Sequence, residues 1–166
     1  MMWPVRAGTL GDLPHIAKLH GECFDDAWDI EFLGRLLAQP GAFSAVVMDQ
    51  DVLAGFVLAR ANAGEAEILS LGVGAPWRRR ALATALVRTT LERASEAGAA
   101  EVFLEVAVDN IPARALYGAL GFREVGLRPA YYGRGGRPGT DALILRRALP
   151  FEAGCAGAGN STTIGP

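Results

Sequence analysis

Apolar and polar residues follow two periods along this chain, and the changeovers mark the elements. Val5–Ala7 reads as a short strand. Asp12 caps a helix with Pro14 in its first turn, and Ile16, Leu19 and Cys23 form its apolar stripe. Asp29 caps a second helix ending near Ala38, with Trp28 and Leu33 at hydrophobic-staple spacing. Strands follow at Phe43–Met48, Val52–Ala61 and Ala66–Val73, separated by the polar turns 49–51 and 62–64. A long helix runs from about Ala81 to Ala97 and stops at Gly98. Val102–Val108 alternates as a strand. Asp109 or Asn110 caps the next helix, which has Pro112 early and Gly121 just past its end. A short strand Phe122–Gly126, a Gly/Pro-rich loop 127–139 and a last strand Asp141–Ala148 complete the pattern. The order β-α-α-β-β-β-α-β-α-β-β puts hairpins first and crossovers later. It implies an α/β fold of the α+β type, with a mixed sheet and helices on both faces.

Composition narrows the class. A length of 166 residues, 51% apolar, fits one domain with a real core. Residues 1–149 form that domain, and 150–166 read as a flexible tail or vector remnant. The net charge of −2 argues against nucleic acid as a partner. No apolar run is long enough to cross a membrane, and the first residues lack the pattern of a secretory signal. Two cysteines and two histidines, the latter five residues apart, match no metal-site spacing, so no metal is expected. A cytoplasmic protein is the default.

The sharpest local feature is Arg78-Arg79-Arg80 at the start of a helix, directly after a strand. A helix N-terminus carries partial positive charge and free N–H groups, so three arginines oppose its dipole. A bound anion relieves the conflict, and the small Ala81 and Ala83 let a phosphate approach the backbone. A solvated basic turn is the plain alternative. On strand 102–108, Glu105 shares a face with Phe103 and Ala107. A buried carboxylate there would have a raised pKa, suited to a general base; pairing with an arginine or a solvated sheet face is the other reading. Tyr117 fits either a core position or a proton donor, and Asn110 is at least a helix cap. Cys23 reads as a core residue.

The run Val73-x-x-Pro76-x-Arg78-Arg79-Arg80-Ala81-x-Ala83-x-x-Leu86 resembles the acetyl-coenzyme A motif of the GNAT N-acetyltransferases, R/Q-x-x-G-x-G/A. Ala113-x-x-Leu116-Tyr117-x-x-Leu120-Gly121-Phe122 is similar to the family's second motif. The resemblance implies a splayed, mostly antiparallel sheet of six to seven strands and acetyl-CoA as cosubstrate. It implies pantetheine contacts from Leu71, Gly72 and Val73 and from Asn110. It also implies a pyrophosphate cradle built by Arg78, Arg79, Arg80, Ala81, Leu82, Ala83 and Thr84. Ala81 stands where the family usually has glycine. Alanine is harmless there if it opens the helix, and costs about 1 kcal/mol or more if the position needs positive φ.

Phe24, Trp28 and Phe32, the stretch Glu65–Val73, Leu104-Glu105-Val106 and the Arg128–Gly133 segment resemble the RimI-like branch, the ribosomal-protein-alanine N-acetyltransferases. That branch implies Glu105 as general base and Tyr117 as donor to the departing thiolate. Tyr131 and Tyr132 would line a groove for the acceptor, the N-terminus of a protein, with a ribosomal protein as one candidate. A monomer or weak dimer is expected. The alternatives are a small-molecule amine acetyltransferase, with its base at Glu65 or Glu67, and a non-catalytic coenzyme A-binding module.

Overall fold

The computed structural model describes residues 3–132 and 139–150, with the side chains of 130–132 excluded. Seven strands form one sheet: β1 (Arg6–Ala7), β2 (Ala42–Asp49), β3 (Val52–Ala61), β4 (Gly64–Val73), β5 (Ala99–Ala107), β6 (Arg123–Tyr132) and β7 (Thr140–Ala148). Their spatial order is β1-β2-β3-β4-β5-β7-β6. Every pairing is antiparallel except β4 with β5. The four helices are α1 (Leu13–Cys23), α2 (Ile30–Leu37), α3 (Leu82–Glu96) and α4 (Ile111–Ala119).

Two apolar cores follow from the strand alternation. Val57, Leu104, Val106 and Leu143 point to one face and meet Leu82, Leu86 and Leu91 of α3 and Tyr117 of α4. Val46, Phe56 and Leu58 point to the other face and meet Leu13, Ile16 and Leu19 of α1 and Leu33 of α2. On that second face the helices cover only part of the sheet. The strands beyond β4 carry charge pairs there, Glu105 with Arg128 and Glu101 with Arg146.

The helix ends form largely as local chemistry dictates. Asp29 accepts the Phe32 N–H at 2.8 Å, and Asn110 accepts the Ala113 N–H at 3.2 Å. Asp12 departs from its expected role. It ends a short 3₁₀ turn, Leu10–Asp12, and its carboxylate takes both Arg6 guanidinium nitrogens at 2.8 Å and the Thr9 N–H at 2.7 Å. These bonds hold its pKa down at about 2, with the Arg6 hydrogen bonds as the main cause.

The stretch 127–132 corrects another expectation. It is not loop: β6 runs ten residues, to Tyr132, against β7. Its Gly and Pro are tolerated because β6 lies at the sheet edge and carries register shifts at Glu124/Gly126 and Arg128/Tyr132. Residues 151–166 and 133–138 lie outside the described residues.

Candidate active site

The site begins where two parallel strands part. β4 and β5 pair only from Gly64/Ala99 to Glu67/Phe103, although β4 continues to Val73 and β5 to Ala107. Leu71, Gly72 and Val73 stay bonded to β3, opposite Val57, Phe56 and Gly55. Their other edge faces the gap with no partner strand among the described residues. Backbone N–H and C=O groups left open inside a sheet accept an extended amide-bearing ligand in place of a strand. Gly72 keeps this edge close to its own core. A Cβ there would sit 2.7 Å from the Phe56 ring and 3.2 Å from the Cys23 sulfur. The Val73 carbonyl takes the Arg78 Nε–H at 3.1 Å and the Cys23 thiol at 3.6 Å. Burial pushes that thiol's pKa up, away from nucleophilic use.

The arginine triplet lies before the helix, not in its first turn. Ala75–Trp77 forms a 3₁₀ turn, Arg78–Ala81 a loop, and α3 opens at Leu82. The three arginines are exposed. Arg79 and Ala81 adopt positive φ, 62° and 64°, while Arg80 between them does not. Backbone of alternating hand gathers successive N–H groups on one concave side, which is an anion-binding nest. Helical bonding starts from Ala85 N–H to Ala81 C=O, which leaves the Leu82, Ala83 and Thr84 amides at the start of α3 without intrahelical partners. Free amides at the start of α3, three exposed arginines and the positive end of the helix dipole thus lie in one short segment. The arrangement fits a pyrophosphate. Ala81 is the helix N-cap in the left-handed region, so the family's usual glycine there has a conformational reason.

Glu105 and Tyr117 lie on opposite faces of the sheet. Tyr117 is buried in the core under α3 and α4, with its ring edge-on to Phe122 at 5.5 Å. Glu105 lies on β5 two residues past the last β4–β5 pair. It is not the deeply buried carboxylate of the first sequence expectation. Its side chain is 26% exposed and takes Arg128 Nη1–H at 3.3 and 3.4 Å. Glu105 opens into a cavity of about 690 Å³ lined also by Gln39, Arg60, Glu67, Phe103 and Ile144. Glu67 is tied to Arg60 at 3.2 Å, and Glu65 stands at the cavity as well. Asn110 caps α4 just beyond the end of β5.

The backbone of Tyr131 and Tyr132 ends β6, on the side of the sheet beyond β7; their side chains lie outside the described residues. The aromatics of the α1–α2 connection gather around His20. It is 2% exposed, stacks on Trp28 at 4.7 Å and contacts Phe24 at 4.6 Å. Its Nδ1 accepts the Trp28 N–H at 3.1 Å, and burial holds its pKa down, which keeps that nitrogen an acceptor. Sequence reading did not identify Arg128 as the arginine that pairs with Glu105, and it missed Arg60 and Gln39; only sheet register discloses these pairings. It also missed Trp3, whose indole N–H donates to the Arg80 carbonyl at 2.8 Å.

Comparison with known proteins agrees with this geometry. Residues 13–122 match the Acetyltransferase (GNAT) family. The N-alpha-acetyltransferase RimI of Mycobacterium tuberculosis is 34% identical over 152 residues, covering 87% of this chain and 92% of that protein. The crystal structure of the ribosomal-protein-S18-alanine N-acetyltransferase from Escherichia coli superposes with a TM-score of 0.81 at 22% identity, covering 93% of this chain and 98% of the other. Arabidopsis thaliana NAA60 in complex with acetyl-CoA does so with a TM-score of 0.80 at 23% identity, covering 89% and 99%.

Proposed function

This chain belongs to the GNAT acetyltransferase family and is an acetyl-CoA-dependent N-acetyltransferase; on that premise we propose that its acceptor is the N-terminal α-amine of a protein. One observation carries the reading. The gap between β4 and β5 meets an open cavity at Glu105, on a sheet face that α1 and α2 leave partly uncovered. An extended peptide end has room to lie along that face. The relative with 34% identity, named as an N-alpha-acetyltransferase, supports the same acceptor class, and a ribosomal protein is the candidate its branch suggests.

Acetyl-CoA supplies the activated thioester. In our reading the Arg79–Thr84 amides and the arginine triplet hold its pyrophosphate, and the open edge of Leu71–Val73 holds its pantetheine arm. Asn110 adds a polar contact at the end of β5. Glu105 receives the ammonium end of the acceptor and takes its proton. An α-amine has a pKa of roughly 7.7–8.0, so modest help yields a neutral nucleophile. A backbone N–H of the β4 edge steadies charge developing on the carbonyl oxygen. Tyr117, on the opposite face, gives its phenolic proton to the departing sulfur. Arg128 must share Glu105 with the incoming cation; the exposed pair is worth only about 0–1 kcal/mol, so the exchange is easy.

The test is mass spectrometry of peptides with varied N-terminal residues, incubated with the enzyme and acetyl-CoA beside a panel of polyamines and aminoglycosides. Acetylation at peptide α-amines is expected. Activity confined to the non-peptide amines would overturn the proposal.

A further inference from the structure

Two non-glycine residues in left-handed conformation, one on each side of Arg80, make the phosphate loop a strained segment. Such strain persists only where the surroundings over-determine the backbone. Two hydrogen bonds anchor this loop from outside. Arg78 ties its start to the Val73 carbonyl. The second bond comes from 77 residues away, where the Trp3 indole N–H donates to the Arg80 carbonyl at 2.8 Å. The Trp3 ring is itself packed against the core under α3, so its N–H is held in place.

The geometry points to Trp3 as a positioning residue for the cosubstrate's phosphates. In a nest the N–H groups turn to the concave side and the carbonyls turn away. Trp3 takes the middle carbonyl, at Arg80, and not an amide. It therefore fixes the peptide plane between the two left-handed residues without consuming an amide the anion needs. A loop already held in its binding shape loses less freedom when the anion arrives, which is preorganisation. Trp3 touches neither the reacting atoms nor the phosphates.

This inference rests on the pyrophosphate lying in the Arg79–Thr84 cradle. The experiment compares wild type with Trp3→Phe, which keeps an aromatic ring against the core while removing the indole donor and part of the ring's bulk. Each is assayed with acetyl-CoA and with S-acetylpantetheine, which lacks the pyrophosphate. The loss of one neutral hydrogen bond predicts a rise of about fivefold in KM for acetyl-CoA with kcat unchanged. The rate with S-acetylpantetheine should stay at the wild-type value, which also shows that the variant folds. An equal fall with both donors would make Trp3 merely structural and overturn the inference, as would no change with either. If wild type itself fails to prefer acetyl-CoA over S-acetylpantetheine, the cradle does not read phosphate, and the failure lies in the placement beneath the inference.

Discussion

Ala81→Gly is expected to make this protein more stable, against the usual direction for a glycine at the edge of a helix. Ala81 holds φ 64° and ψ 16° at the N-cap of α3. A left-handed conformation costs an L-residue roughly 1–2 kcal/mol, and glycine none of it. Glycine brings its own penalty of about 0.4–1 kcal/mol through a freer unfolded chain. The Ala81 methyl is exposed, so its removal opens no cavity. The balance is a gain of roughly 0.5–1 kcal/mol. For a chain of this size that raises Tm by about 1–4 °C. The assay is thermal and urea unfolding by circular dichroism, read at constant m-value so that the change is one of native stability. Ala83→Gly is the control: it lies inside α3, where glycine costs about 1 kcal/mol. The two substitutions, two residues apart, should therefore have opposite signs. If Ala81→Gly destabilises as much as Ala83→Gly, the left-handed cap is not a real feature of the protein and the nest argument falls with it.

The remaining predictions concern chemistry and pH. Glu105→Gln and Tyr117→Phe should each lower kcat by about 10²–10⁴-fold while acetyl-CoA still raises the melting temperature of both, as measured by thermal shift. Wild-type turnover in both variants would remove the acid–base assignments. Asp12→Asn should destabilise the fold by about 1–2 kcal/mol at pH 7, after discount for the half-exposed Arg6 partner. The folded pKa of Asp12 is depressed from 3.8 to about 2. Its contribution is therefore fully present above about pH 4 and lost as pH falls to about 2. Urea midpoints of the two proteins should converge across that window, and a gap that stays constant would refute the linkage.

Much of this protein is written in short-range signals. Asp29 and Asn110 were legible as caps because a cap bonds an amide three residues away. The Arg78–Thr84 segment stood out in the sequence because the free amides at a helix start are a feature of consecutive residues. Strand alternation was enough to separate Val102, Leu104 and Val106 from Phe103 and Glu105, and the two sets do face opposite sides of the sheet. Local signals also misled. Gly126 and Pro129 punctuate β6 as a turn would, and only pairing with β7 makes that stretch a strand.

What the sequence determined by itself is the set of elements, their order and the family they belong to. Each rests on contacts between residues a few positions apart. The tertiary structure decided the rest. It parts β4 from β5 after Glu67/Phe103, sets Glu105 against Arg128 from a strand 23 residues on, and brings Trp3 to the carbonyl of Arg80. It also decides the φ of Ala81, which in the sequence was either an ordinary helical residue or a strained one. The physical reason is common to all four. Register, strand divergence and backbone strain depend on groups far apart in the chain, and no local preference of the residues involved specifies them.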